Sequence, residues 1–459
     1  MKTKKQKVGK RSQFKPKAKT TRKAVLERIK LNAAGVDIGS EKIYVAIIDE
    51  PVMEFDTYTS GIKRAAEYIL AKNSDSIAME ATGIYWFPIF EMFEEYGLEC
   101  YVVNACHAKN VPGRKTDVLD SEWLRELHTF GLLSSSFIPN EMTRKLRTIV
   151  RLRDDHIEMG STHIQHMHKS FDAMNIKLHN VISQTTGMSG LRVIKAILSG
   201  EQNPEKLANL CSQQILKNKR QDVIKSLEGN YKKEYLFALR QALDLWEFYQ
   251  EKIVECDKEI EKILNEMGIG QSVPKNISKA KPINNHEPLI DDFHKKLLTI
   301  TGGRDASQLT GLTDYTVMRL IAETGTDMSP WQTEKHFASW CNLAPWDKSS
   351  GKKKGTRKRK INNRTGQIFR EVVPSVGKSK YLALGGFYRR IKSRHGAKVA
   401  NKATARKIAV LYYRLMKYGF DYVEQGLEEY EKKYKEKMIQ SITKKAKQYG
   451  MEMIKIDAA

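Results

Sequence analysis

The chain has 459 residues, enough for two to four domains, and 41% of them are hydrophobic, enough to fill buried cores. Its 79 Lys and Arg exceed its 54 Asp and Glu by 25 charges, and the pI is near 9.6. That balance points to a polyanionic partner and leaves two classes open, an enzyme acting on nucleic acid and a binder with no chemistry.

Residues 1–30 carry 13 Lys or Arg against one acid, Glu27. Such a segment repels itself and has no core, so a disordered basic arm is expected, adding phosphate affinity or merely solubility. It lacks the apolar stretch of a secretory signal. Ala33–Ile38 reads as a short apolar strand, Gly39-Ser40 as a turn and Ile43–Ile48 as a second strand, together a hairpin. A helix is expected over 60–72, a strand at Ser76–Glu80, a helix over 87–96, a strand at Leu98–Val103 and a helix over 117–131. Hairpin strands followed by alternating strands and helices predict a mixed α/β sheet covered by helices.

From about 141 to 266 the strand pattern disappears. Residues 143–172 read as a polar helix with His156, His163, His166 and His168, whose spacing fits no metal motif and which are expected to face solvent or nucleic acid. Residues 235–264 hold no Gly or Pro, and Leu236, Leu239, Leu243, Trp246, Ile253, Ile260 and Ile263 keep a near-heptad spacing. This predicts a long coiled-coil arm, paired with another copy, with the 143–172 helix, or with both. Residues 268–291 are rich in Gly, Pro, Asn and Ser and read as a linker; a helical domain follows over 292–425, then a charged helical tail over 426–459. No apolar run reaches the length of about 18 residues that a membrane span needs. The five cysteines, Cys100, Cys106, Cys211, Cys256 and Cys341, are odd in number and form no C-x-x-C pair. They read as reduced thiols of a cytoplasmic protein, not as a disulfide scaffold or a zinc ribbon.

Two groups of residues carry candidate chemistry. Asp37 and Glu80 each stand in an otherwise apolar strand, and Asp117 and Asp120 lie three apart on one expected helix. A carboxylate in a core-like strand is unfavourable without a partner. If the two strands are neighbours, four carboxylates converge, and a hard divalent cation, magnesium by its preference for oxygen ligands, would neutralise them. The second group begins at Ser349-Ser350-Gly351 and continues with Lys352, Lys353, Lys354, Arg357, Lys358, Arg359 and Lys360, then Arg364. Gly351 permits close backbone approach, and the cations would offset phosphate charge. By residue type alone such a segment is more often a flexible basic loop.

Asp37-Ile-Gly39, Met79-Glu-Ala-Thr-Gly83 and Lys115-Thr-Asp-Val-Leu-Asp120, in that order, resemble the RuvC-like DEDD domain of the bridge-RNA-guided insertion-sequence transposases, which are related to the Piv-type DNA invertases. Phe337-Ala-Ser-Trp-Cys-Asn-Leu-Ala-Pro345, followed by Ser349-Ser-Gly351, resembles the C-terminal transposase domain of that family. The resemblance spans roughly residues 31–420 and implies a RuvC-like domain over 31–135, helical coiled-coil arms over 136–267 and a serine transposase domain over 292–425. It implies magnesium at Asp37, Glu80, Asp117 and Asp120, with Ser350 as nucleophile and Ser349 as runner-up. It further implies dimers and tetramers, and a structured non-coding guide RNA that pairs with target and donor DNA. The chain departs from the family at Leu309-Thr-Gly-Leu-Thr313, where an Ile-Pro-Gly-Ile-Gly turn is usual. The rival expectations are a RuvC-like endonuclease that uses water as nucleophile, and a scaffold that binds nucleic acid without cutting it.

Overall fold

The computed structural model describes residues 27–104, 117–274, 277–345, 349–350, 353–354, 363–379 and 382–452. It divides into two compact units, residues 1–138 and 139–459.

The first unit is built on a five-stranded sheet. Its strands are β1 (Ala33–Ile38), β2 (Lys42–Ile47), β3 (Met53–Asp56), β4 (Ser76–Glu80) and β5 (Glu99–Val103), in the spatial order β3-β2-β1-β4-β5. The first three are antiparallel, while β4 and β5 run parallel to β1. This mixed sheet is consistent with the RuvC-like fold that the resemblance implies. β3 is an addition to the expected elements. It is a four-residue edge strand whose side chains are all exposed or half-buried, so it lacks the apolar run that marked the others.

Alternation along the strands separates two faces. Val36, Ile38, Ile43, Val45, Ile47, Ile77 and Met79 fill one face, beneath helices α1 (Thr59–Ala71) and α2 (Trp86–Glu95). Helix α3 (Asp117–Thr129) covers the other, where Leu124 packs against Val103. Ile29 and Lys30, the end of the expected basic arm, donate backbone hydrogen bonds to the Thr129 carbonyl, and the Lys30 ammonium lies 3.6 Å from the centre of the Tyr101 ring. The rest of that arm lies outside the described residues.

The second unit is helical. Helices α4 (Glu141–Ala173) and α9 (Lys233–Gly268) pair along their length. Between them, α5 (Leu178–Val181), α6 (Met188–Leu198), α7 (Pro204–Ala208) and α8 (Gln213–Ser226) enclose their own core around Phe171, Ile194 and Leu239. Of the partners expected for the near-heptad helix, the one in its own chain, the 143–172 helix, is packed against α9. The histidine expectation changes accordingly. His163 stacks on Tyr249 of α9 at 5.6 Å between ring centres, and His168 stacks on His179 at 4.8 Å and bonds Thr185, so those rings serve packing, while His166 stays exposed.

The C-terminal portion comprises α10 (Phe293–Ile300), α11 (Asp314–Thr324), α12 (Glu334–Trp340), the two-residue strands β6 (Ser349–Ser350) and β7 (Lys353–Lys354), α13 (Arg364–Glu371), α14 (Val373–Lys378), α15 (Ala383–Tyr418) and α16 (Phe420–Gln448). Its core is aromatic: Phe337, Phe369, Tyr412 and Tyr413 are fully buried. The foot of α4 is bonded to it. Arg147 donates to the carbonyls of Ala322 and Glu323, and Arg151 makes a forked bond to the Glu323 carboxylate, both N–O distances being 2.8 Å. No helix among the described residues is long and apolar enough to cross a membrane. Cys100, Cys211, Cys256 and Cys341 are free thiols, and Cys106 lies outside the described residues.

Candidate functional sites: an acidic strand pair and a basic hairpin

The acidic strand pair follows from register. β1 and β4 are parallel neighbours with Gly35 beside Ala78 and Val36 beside Met79. One further step along both strands brings Asp37 beside Glu80, and paired residues of parallel strands project to the same face. That face is the one under α3, because a Cβ on Gly35, two residues before Asp37, would strike the Ser121 carbonyl oxygen and the Arg125 backbone.

The direction of α3 is also fixed. His128 near its C-terminal end is 2.9 Å from the Ser76 hydroxyl at the start of β4, so the helix runs antiparallel to β1 and β4. From Ser121 one helical turn back, about 5.4 Å, reaches Asp117. From Gly35 two strand residues forward, about 6.6 Å, reach Asp37. The first turn of α3, with Asp117 and Asp120, therefore extends toward the end of the sheet that carries Asp37 and Glu80.

Glu80 is 8% exposed, and Asp37 and Asp120 are half-buried. The Asp117 side chain lies outside the described residues. Among the described residues no three His, Cys, Asp or Glu side chains form a group able to hold a metal ion, so the tight cluster expected from sequence is not assembled from them. The donor set at this edge is nonetheless all carboxylate oxygen, which suits a hard divalent cation and no soft one. Tyr44, missed at sequence level, is the cross-strand partner of Asp37 on β2. Antiparallel partners share a face, so the phenol belongs to the same edge; only the register of β2 could have identified it.

The second candidate lies on the other unit. Ser349 and Ser350 form β6 and pair antiparallel with Lys354 and Lys353 of β7, so a stretch expected as a loop contains a short hairpin. Ser350 stands directly opposite Lys353. The side chains of Ser349, Ser350, Lys353 and Lys354 lie outside the described residues, as do Gly351, Lys352, Arg357, Lys358, Arg359 and Lys360 altogether. Arg364 opens α13 and is exposed.

The segment returns to where it starts. Asn363 caps α13 by accepting from the Gly366 amide at 2.8 Å and donates from its other amide atom to the Trp340 carbonyl at 3.0 Å. A Cβ on Gly366 would strike the Cys341 carbonyl. The exit of α12 and the entry of α13 are thus closed on each other, and the hairpin is presented from a closed base.

A third arrangement has the residue types of a nucleophilic triad. The Ser278 hydroxyl is 3.1 Å from His294 Nε2, and His294 Nδ1 is 2.9 Å from the Asp314 carboxylate. The Ser278 proton is given to Asp305, however. The imidazole then donates to the serine oxygen, the opposite of what activates a nucleophile. The cluster fastens Ser278 to α10 and α11, and burial raises the Asp314 carboxyl above its ordinary range.

Residues 34–176 match the transposase family DEDD_Tnp_IS110, a domain class that typically depends on a divalent metal, and this span contains Asp37, Glu80, Asp117 and Asp120. Residues 304–372 match the Transposase IS116/IS110/IS902 family, a span that contains α11, α12, the β6–β7 hairpin and α13. No curated protein matches the chain. The chain is therefore similar, in this order, to the two transposase domains of the IS110 family.

Proposed function

We propose that this chain is the transposase of an insertion sequence and cuts and rejoins DNA through Ser350, assisted by a magnesium ion held on Asp37, Glu80, Asp117 and Asp120. The observation that carries the acidic half is the parallel register of β1 and β4, which sets Asp37 beside Glu80 beneath the helix that bears Asp120. The ion would supply compensation for the negative charge that four carboxylates and a phosphodiester bring together. The chain's own residues divide the remaining work. Ser350 Oγ attacks phosphorus and loses its proton, the bond from phosphorus to the 3′ oxygen breaks, and the 3′ oxygen leaves protonated. The phosphoserine conserves the ester for rejoining. Lys352, Lys353, Lys354, Arg357, Lys358, Arg359, Lys360 and Arg364 offset charge on the phosphate oxygens.

A structured non-coding RNA guides the enzyme to target and donor DNA, and dimers or tetramers are the working forms, as the family resemblance implies. The net charge of +25 supports simultaneous hold on two polyanions. In such a division of labour base pairing reads sequence and the protein reads backbone and shape.

The test compares two variants on supercoiled donor DNA. Ser350→Ala should abolish the covalent protein–DNA adduct seen on denaturing gels, and Asp37→Asn should abolish cutting with DNA affinity retained. Cutting that survives Ser350→Ala but not Asp37→Asn would replace the serine with water as nucleophile. Sequencing of RNA that co-purifies with the chain tests the guide: one defined species is expected, and a heterogeneous pool would remove it.

A further inference from the structure

Helix α15 is not one helix. Gly396 has φ 82° and ψ 167°, which breaks it between His395 and Ala397. The Phe387 ring, before the break, lies 4.8 Å from the Lys407 ammonium, after it. In an unbroken helix these residues would be about 30 Å apart. The two halves therefore turn back at Gly396 into a sharp corner, whose apex stands about 13 Å beyond the Phe387–Lys407 contact. At the apex a run of eight residues, Lys392–Val399, is exposed without interruption. Buried residues resume at Ala400 and continue through Thr404, Ala405, Ile408 and Ala409, which fix the second half to the body.

The charge of this corner is one-sided. Between Glu371 and Asp421 the sequence has twelve Lys or Arg and no acid. Arg390 is engaged with the Phe387 ring and Arg389 with the Gly377 carbonyl, so both stiffen the base. Lys392, Arg394 and Lys398 are the cations of the exposed apex. An exposed helical corner whose own charged residues are all positive carries a self-repulsion that a polyanion would relieve.

We infer that the α15 corner is a docking element for duplex DNA, which enters the major groove and holds the flanking phosphates with Lys392, Arg394 and Lys398. This extends the reading of the chain as a DNA-acting enzyme by assigning a contact apart from the Ser350 hairpin. Shape selects the partner. Each half of the corner, with its side chains, is about 10–12 Å across, so one half at a time fits the major groove of B-form DNA, about 12 Å wide. The deep, narrow major groove of A-form RNA does not admit it. Contacts of this kind position the enzyme and carry little sequence preference.

The test is equilibrium binding of the full chain to a short fluorescent DNA duplex over a range of salt concentrations, without cutting. The triple variant Lys392→Gln, Arg394→Gln, Lys398→Gln should lower the slope of log affinity against log salt by about 2 to 3, since each phosphate contact contributes about 0.9. Its circular dichroism should be unchanged, because all three side chains are exposed. The charge-preserving variant Lys392→Arg, Lys398→Arg should keep the slope of the parent. An unchanged slope in the triple variant overturns the inference. So does a loss of affinity confined to RNA, which would assign the corner to RNA instead. Because the readout is binding, failure here leaves the Ser350 and Asp37 assignments standing, and their failure leaves this slope measurable.

Discussion

Gly35 of β1 lies directly beneath Ser121 of α3, so closely that a Cβ at position 35 would overlap the Ser121 carbonyl oxygen and come within 2.9 Å of the Arg125 Cα. The atoms it would meet are backbone, which cannot rotate aside as a side chain can. Gly35→Ala should therefore cost about 3 kcal/mol, the upper part of the range for overpacking a core. It should also lift the first turn of α3 from the Asp37–Glu80 edge. Urea unfolding and DNA cutting measured on the same variant check both. A variant as stable and as active as the parent would show that α3 does not press on β1.

The far end of α3 gives a pH dependence. His128 is 1% exposed, against Ser76 and the Tyr101 ring, and Lys30 stands near it. Burial, and after it the charge of Lys30, lowers the imidazole from its ordinary 6.5 to about 4. Unfolded, the ring takes a proton below pH 6.5; folded, it does not until about pH 4. The unfolded chain therefore binds more protons between those values. This contribution to stability is fully present above pH 6.5 and is lost as the pH falls through the window, by about 2–3 kcal/mol at its lower end. Urea midpoints across that window should fall with acid for the parent and much less for His128→Asn, which does not titrate. Equal acid sensitivity in both would exclude His128 as the cause.

Both relationships turn on α3, and they mark where the sequence stops being legible. The strands β1, β2, β4 and β5 are apolar runs bounded by turns, and the helices α1, α2, α3, α4 and α9 are long periodic segments, so their positions follow from local pattern. β3 does not, because Met53-Glu-Phe-Asp56 gains its strand form from pairing with β2, not from burial. Asp37 and Glu80 stand out as acids in apolar strands, but their adjacency needs a parallel pairing between segments 43 residues apart, which no local signal encodes. The seat of α3 depends on one missing side chain, at Gly35. The hairpin at Ser350 was hidden for another reason: its composition is that of a solvated basic loop, and its pairing involves only two residues on each side.

Arg153 of α4 and Asp257 of α9, each 1% exposed, form a buried ion pair with a forked hydrogen bond, Nε to Oδ1 at 2.5 Å and Nη2 to Oδ2 at 3.4 Å. The pair also holds the extended segment before α10: Arg153 donates to the His286 carbonyl, and the Leu289 amide donates to Asp257. Removing one partner leaves the other charged and buried, so Asp257→Ala should destabilise the chain by about 3–5 kcal/mol. The double variant Arg153→Met, Asp257→Leu should regain much of that loss, because apolar replacement removes the desolvation penalty of both ions. Denaturant midpoints of the two variants decide the matter. If the double variant is no better than the single one, the bonds to His286 and Leu289, and not the charges, hold α4 to α9.

Asn363 gives the last prediction, because one side chain closes the base of the Ser350 hairpin, proposed above as the nucleophile's seat, from both sides. Its carbonyl oxygen caps α13, and its amide nitrogen reaches back to Trp340 at the end of α12. Asn363→Ala removes both bonds. Loss of the cap alone costs about 1 kcal/mol, too little to unfold the chain. The larger effect should fall on chemistry. With the base open, Ser350 and Lys353 lose the fixed ends that limit where their hairpin can go, and a displacement of 1 Å at a reacting group costs on the order of a hundredfold. The rate of adduct formation should therefore drop by one to two orders of magnitude, with DNA affinity close to that of the parent. Asn363→Asp retains the oxygen that caps α13 and loses the donor to Trp340, so it separates the two roles: a rate near that of the parent assigns the effect to the cap, and a rate near that of Asn363→Ala assigns it to the closure. An undiminished rate in Asn363→Ala would mean that the hairpin is positioned by the DNA it acts on and not by its own base.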